Sequence, residues 1–167
     1  MKKNQHGVFL VEALIAILIF SLGVLGMVAM GGMAISAQSD AQYRTDAANY
    51  ANEIAAAIAL DIAPGNYSTS LPEYANLPII GGASVSSCVF AGATSTKQVV
   101  TDWVARVTGA VDPKRGLPGA TVATTQIMVD TSPAAHNKVT ITVCWLPPSS
   151  AAVGPYMHSH TLITYIN

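Results

Sequence analysis

The chain has 167 residues, which is enough for one domain and little more. It is 51% hydrophobic and 10% charged, against roughly 25% charged in a typical soluble domain. The formal net charge is −1 and no run of basic residues is present, which argues against a nucleic-acid-binding protein.

The first forty residues consist of a short polar leader and a long apolar stretch. Met1–Gly7 carries two lysines, and the 25 residues of Ala13–Ala37 include no charged side chain. As a helix this stretch would extend about 37 Å, more than the roughly 30 Å of a hydrocarbon core. The lysines favour a cytoplasmic N-terminus. We therefore expect one membrane-spanning helix that exports the rest of the chain.

Two simple interpretations of this stretch each leave one feature unexplained. A secretory signal peptide, cleaved after Ala37, would have an apolar run of only about 7–15 residues. A plain signal anchor fits the length but leaves Glu12 unexplained at one end of the apolar run. A carboxylate there either has a specific partner or reaches the membrane interface. The residue by itself leaves both alternatives open.

The position of Glu12 relates it to Gly7, because it is the fifth residue after that glycine. In this the chain resembles the type IV pilin and pseudopilin family, whose precursors have a leader ending in Gly, an apolar helix and Glu at the fifth mature position. The resemblance implies cleavage after Gly7 by prepilin peptidase and N-methylation of Val8. It also implies that Glu12 forms a salt bridge with the new amine of a neighbouring subunit and so sets its register. Val8 departs from the family, which usually has Phe there.

The helical pattern continues beyond the apolar stretch. Alanine is abundant between Asp40 and Ile62, and Pro64 ends the pattern. Apolar residues recur every three or four positions, at Tyr43, Ala47, Tyr50, Ile54, Ile58 and Ile62. We predict one helix over Phe9–Ile62, with two helices broken at Gly31–Gly32 as the alternative.

The remaining sequence predicts a small globular head over 64–167. An irregular connection over Pro64–Gly92 precedes a short helix over Thr96–Val107. Three strands of an antiparallel meander are then expected at Thr121–Val129, Lys138–Trp145 and Thr161–Ile166. The predicted fold is therefore α+β and type IV pilin-like, with leader 1–7, a membrane or filament-core half-helix 8–37, an amphipathic half-helix 38–63 and the head.

Cysteines and histidines are the candidates for chemistry in the head. Cys88 and Cys144 lie in the exported part, where disulfides persist, and a bond between them would stabilise the head by about 4 kcal/mol. Two buried free thiols are the alternative. His158 and His160 lack a nearby acidic or cysteine ligand in sequence, which favours exposed strand-end histidines over a metal site. Because no catalytic spacing is recognisable, we expect neither an enzyme nor a cofactor.

Within the family, the run Phe20–Met27 with its two glycines resembles the PilV-type minor pilins, as do Trp103 and Trp145 with their neighbours. This resemblance implies a subunit that primes pilus assembly with other minor pilins and the major pilin, stays at the tip beside a tip adhesin, and supports adhesion and twitching motility. It would reside in the inner membrane before assembly and in the filament afterwards. A minor pseudopilin of type II secretion is the nearest alternative, and a single-pass anchored periplasmic domain with a binding or catalytic head is the second.

Overall fold

The computed structural model describes residues 6–81, 87–148 and 156–166, with side chains from Phe9 onward. Most of the predicted leader, Met1–Gln5, lies outside these residues, as does the side chain of Val8. The chain divides into two compact units between Ser39 and Asp40.

Helix α1 covers His6–Asp61, a length of 56 residues. In the first unit it passes through Gly31 and Gly32 without interruption, so the alternative of two helices broken there is wrong. The helix starts three residues before the predicted Phe9 and ends one residue before Ile62. It is long and apolar enough to span a membrane, by length and composition.

In the second unit, one face of α1 forms the centre of the core. The buried positions on this face are Ala47, Ala51, Ile54 and Ile58, and Ile62, directly after the helix, is buried in the same core. Their spacing of three and four residues is the one that the sequence predicted. Tyr43 and Tyr50 are only partly buried and pack against the edge of the same core.

The connection after α1 is more regular than predicted. It contains helix α2 at Tyr67–Ser70, a 3₁₀ helix at Leu71–Tyr74, and the short antiparallel strands β1 at Ile79–Ile80 and β2 at Phe90–Ala91. The buried side chains of Leu71 and Tyr74 anchor the 3₁₀ helix to the main core. The prediction of an irregular segment over Pro64–Gly92 was therefore wrong for much of its described part.

Helix α3 covers Gln98–Val107, two residues shorter at its start than predicted. Its buried face carries Val100, Trp103, Val104 and Val107, and the last turn holds Arg106. Trp103 is fully buried against the core face of α1, which its large apolar area favours. The two helices therefore share one core.

Strands β3 at Thr125–Asp130, β4 at Lys138–Trp145 and β5 at His158–Tyr165 form the three-stranded antiparallel sheet in that order. The bounds of β4 are those predicted. β3 starts four residues late, because Val122–Thr124 forms a 3₁₀ turn. β5 starts three residues before the predicted Thr161, since its pairing with β4 continues to the end of that strand.

The two faces of this sheet are buried in different ways. Val139, Ile141, Val143 and Trp145 of β4 face the main core, which also contains α1 and α3. On the opposite face, Cys144 joins a smaller cluster with Leu77, Cys88 and Phe90. The chain is therefore a mixed α+β protein with a long apolar N-terminal helix and small antiparallel sheets.

Candidate membrane and assembly surfaces

The apolar segment of α1 exposes its large side chains throughout the first unit. Phe9, Phe20 and Met27 are 74%, 72% and 76% exposed, and the leucines, isoleucines and valines between Leu10 and Ile35 are exposed as well. A continuous apolar surface of this size is rare on a soluble monomer. The hydroxyl of Ser21 donates to the carbonyl of Leu18 at 2.9 Å, so this polar group is satisfied within the helix. Such a surface suits lipid or packed neighbouring helices.

The glycines of this segment are not required by contacts within the described chain. A Cβ atom placed on Gly23, Gly26, Gly31 or Gly32 would meet nothing within 4 Å. Each glycine weakens an isolated helix by about 1 kcal/mol relative to alanine. Close approach of another helix is one gain that would offset this cost.

Glu12 lies exposed on α1, five positions after Gly7. No basic group among the described side chains lies within ion-pair distance of its carboxylate. Gly7 and Val8 belong to the first turns of the same helix. The described chain thus presents Glu12 as an unpaired carboxylate at one end of the apolar surface.

The two cysteines lie at disulfide-bond distance. Cys88 Sγ and Cys144 Sγ are 2.09 Å apart, and their Cα atoms are 6.0 Å apart. Both are buried, with Leu77 and Phe90 beside them and Met157 packed against the cluster. The pair connects the β2 region to β4 across 56 positions. Neither cysteine is a free thiol in this structure, in contrast to the alternative of two buried free thiols.

A buried polar network, not foreseen from the sequence, closes the outer edge of β3. The backbone of Asn76 exchanges two hydrogen bonds with Ile127, at 3.0 and 2.9 Å. The Asn76 side chain donates to the carbonyl of Thr125 at 3.0 Å and accepts from the backbone N–H of Ser95 at 3.2 Å. The side-chain amide of Gln126 donates to the carbonyl of Leu77 at 2.9 Å. These bonds hold the connecting segment along the sheet.

His158 lies at a strand end, as predicted, since it is the first residue of β5, but it is half-buried and not exposed. Its Nδ1 lies 3.0 Å from Asp40 Oδ1, and its ring contacts Trp145 edge-on at 5.8 Å between centroids. The second oxygen of Asp40 pairs with Arg44 Nε at 2.9 Å. His160 is also half-buried, on the same face of the strand. The register with β4, which continues to Trp145, makes His158 the first residue of β5 and places His160 within the strand.

Side-chain hydrogen bonds also connect α1 to α3 and to the loop after it. Trp103 Nε1 donates to the carbonyl of Tyr50 at 2.9 Å, and Tyr50 donates its hydroxyl to the carbonyl of Arg115 at 2.7 Å. Arg106 pairs with Glu53 at 2.5 Å. Burial raises the pKa of Tyr50, with the nearby Asp46 carboxylate as a further cause. The phenol therefore stays neutral and remains a donor at physiological pH.

No metal-binding group is assembled in the described part of the chain. Residues 6–81, 87–148 and 156–166 contain no group of three or more His, Cys, Asp or Glu side chains placed to hold a metal ion. A cavity of about 330 Å³ beside α3 is lined by Val100, Val104 and Thr108, among others, and none of its lining residues is titratable.

No family model, curated protein or solved structure matches this chain. Its own fold and surfaces define the class: a mixed α+β protein whose N-terminal helix is long and apolar enough to span a membrane.

Proposed function

We propose that the chain is a minor type IV pilin of the PilV type, made as a precursor with leader 1–7. One observation carries the proposal: Glu12 follows Gly7 by five positions and has no ion-pair partner among the described side chains, at the start of the exposed, uncharged segment Ala13–Ala37. Cleavage after Gly7 would leave a cationic amine at Val8. That amine would be the natural partner of Glu12 on an adjacent subunit.

The pair would act chiefly on register. Two unit charges 4 Å apart attract by about 4 kcal/mol at an effective dielectric constant near 20, before desolvation is subtracted. An unpaired charge among packed apolar helices is costlier than a pair. A subunit that enters the filament would therefore stop where Glu12 meets a neighbour's amine. The exposed glycines of the same helix support close packing at that stage.

The head would determine which other subunits the chain binds. Its core, disulfide-distance cysteine pair and closed β3 edge make it a stable unit. We assign as partners the other minor pilins, the major pilin and a tip adhesin, with prepilin peptidase as the processing enzyme. The chain resides in the inner membrane with a cytoplasmic N-terminus and then at the pilus tip, where it supports adhesion and twitching motility.

Intact mass and N-terminal analysis of the protein from sheared pili and from membranes tests this proposal. We expect a chain that starts at N-methylated Val8. A chain that starts at Met1 would support the plain single-pass anchor, and one that starts at Gln38 would mean that the apolar stretch is a secretory signal.

A matched pair of variants sharpens the test. Gly7→Leu should accumulate unprocessed in the membrane, because the residue before the cut is altered. Gly23→Leu, the same change at an exposed glycine where an added Cβ atom meets nothing within 4 Å, should be processed normally. Equal processing of the two variants would overturn the assignment of Gly7.

A minor pseudopilin of type II secretion would give the same N-terminus. Deletion of the gene separates the two assignments. Loss of surface pili and twitching with normal protein secretion supports the pilin, whereas loss of secretion with normal pili supports the pseudopilin.

A further inference from the structure

Strand β5 lies at one edge of the three-stranded sheet and pairs with β4 alone among the described strands. It has eight residues, His158–Tyr165, and includes no proline and no Asp, Glu, Lys or Arg. Natural edge strands are usually protected by lysine, proline, a bulge or a covering segment. β5 has none of the first three.

The register identifies the backbone groups that point outward. The N–H of Ile166 donates to the carbonyl of Asn137, one step beyond the pair Lys138–Tyr165. Hydrogen-bonded and non-hydrogen-bonded pairs alternate in an antiparallel ladder. Even-numbered residues of β5 therefore bond β4, and the N–H and C=O groups of the odd-numbered residues face away from it: Ser159, Thr161, Ile163 and Tyr165.

A side-chain contact agrees with this assignment. Thr161 Oγ1 lies 3.3 Å from Thr142 Oγ1, its direct neighbour on β4. Side chains come closest in non-hydrogen-bonded pairs, which is the type that the register gives to Thr161.

The opposite edge of the same sheet, formed by β3, is covered by another segment of the chain. On β3, Asn76 supplies both backbone hydrogen bonds to Ile127, and its side chain bonds the carbonyl of Thr125. The chain thus covers the outer edge of β3 with its own connecting segment. Among the residues described, nothing comparable lies along β5.

The odd-numbered residues of β5, whose backbone groups point away from β4, also carry side chains that indicate the chemistry of a partner. Ile163 and Tyr165 are 55% and 56% exposed, and Ser159 and Thr161 are exposed as well. None carries a formal charge, so a charged residue opposite them would lack a counter-ion. β-Branched and aromatic residues pair favourably across strands. The backbone N–H and C=O groups of these residues would all find hydrogen-bond partners on one further extended strand.

We propose that β5 is the docking edge for an extended, uncharged segment of a neighbouring subunit, which adds a fourth strand through the backbones of Ser159, Thr161, Ile163 and Tyr165. This inference rests on the proposed function, since the neighbour is another subunit of the filament. It names a head surface that contacts other subunits, separate from the contacts of α1.

Amide hydrogen exchange read residue by residue tests the proposal. The full chain is labelled once in assembled filaments and once dispersed in detergent, and both samples are dissolved under quench conditions for NMR. In the dispersed chain, the amides of Leu162 and Thr164 should exchange slowly and those of Thr161 and Ile163 fast. In filaments, the amides of Thr161 and Ile163 should slow by about 100-fold or more.

The outcomes separate the two proposals. Filaments that contain the chain, but with Thr161 and Ile163 still exchanging fast, would overturn the β5 inference and leave the pilin proposal intact. Absence of the processed chain from the filaments would overturn both.

A pair of variants supplies a second test. Ile163→Lys places a charge on the docking edge, and Val111→Lys places one on another exposed aliphatic residue, which is 73% exposed in the loop after α3. We expect incorporation into filaments to fall by about 10-fold for Ile163→Lys and to stay unchanged for Val111→Lys. Processing at Gly7 and unfolding in detergent check that both variants are inserted and folded. Equal incorporation of two folded variants would overturn the inference.

Discussion

Tyr74 donates its phenolic hydrogen to the carboxylate of Asp61, the last residue of α1, at 2.5 Å. The tyrosine ring is 1% exposed, whereas Asp61 is exposed to solvent. Lys97 lies 5.2 Å from the centre of the same ring and pairs with Glu73 at 2.6 Å. One buried ring thus connects the end of α1 to the 3₁₀ helix and to the start of α3.

We expect Tyr74→Phe to destabilise the full chain at neutral pH by about 1 kcal/mol, because the hydrogen bond is lost while the ring packing remains. Burial raises the pKa of Tyr74 above its usual value near 10, and Asp61 raises it further. The folded state therefore holds this proton more tightly than the unfolded state. That stabilisation is complete below about pH 10 and is lost as the pH rises further.

Urea unfolding of the wild type and of Tyr74→Phe in detergent, at pH 8 and pH 11, measures this effect. The wild type should lose more stability between the two pH values than the variant does. Tyr156→Phe, at a tyrosine that is 70% exposed, is the matched control and should follow the wild type. Parallel pH dependence in wild type and Tyr74→Phe would contradict the assigned role.

The parts of the fold that the sequence predicted are those with a local pattern. The core face of α1 followed from the three-and-four spacing of residues such as Ile54 and Ile58, and the bounds of β4 followed from strict alternation. Both patterns report which side of an element meets the core. Either pattern can be recognised without knowing which other element packs against that side.

The parts that the sequence did not predict depend on distant partners. Asn76 becomes part of the sheet through Ile127, 51 positions later, and no local pattern marks an asparagine for this role. His158 belongs to β5 because β4 continues to Trp145. Its approach to Asp40 joins positions 118 apart in sequence. Proline at the start of Leu71–Tyr74 was the one local signal that could have indicated the 3₁₀ helix.

Removal of the cysteine pair should weaken the head substantially. The bond closes 56 positions, which corresponds to about 4 kcal/mol in the chain-entropy model. We expect the double variant Cys88→Ala/Cys144→Ala, unfolded in urea in detergent, to lose about this much. Reduction of the wild type with dithiothreitol should give a similar loss and leave the double variant unchanged. A reductant effect on the double variant would assign the change to something other than the disulfide.

The two partners of Asp40 should contribute unequally. His158 is 29% exposed in its side chain and faces the buried Asp40 Oδ1, whereas Arg44 is 62% exposed. We expect His158→Phe, which keeps a ring beside Trp145, to cost about 1–2 kcal/mol, since a buried oxygen loses its neighbour. Arg44→Ala should cost at most about 0.5 kcal/mol, because an exposed pair is weak. Urea unfolding in detergent compares them, and a larger loss for Arg44→Ala would contradict this account.

Glu12→Ala should separate insertion from assembly. The variant keeps the leader, Gly7 and the apolar helix, so insertion and cleavage should proceed, but no carboxylate remains to neutralise the amine at Val8 of a neighbour. We expect processed protein in the membrane and at least a 10-fold loss from sheared filaments, equivalent to about 1.4 kcal/mol.

Glu12→Gln should show the same loss from filaments as Glu12→Ala, since glutamine keeps the shape of the glutamate side chain but not its charge. Glu53→Ala, which loses only the exposed pair with Arg106, is the control and should enter filaments normally. Wild-type incorporation of Glu12→Ala would instead support a single-pass anchored domain, in which this carboxylate has no assembly role.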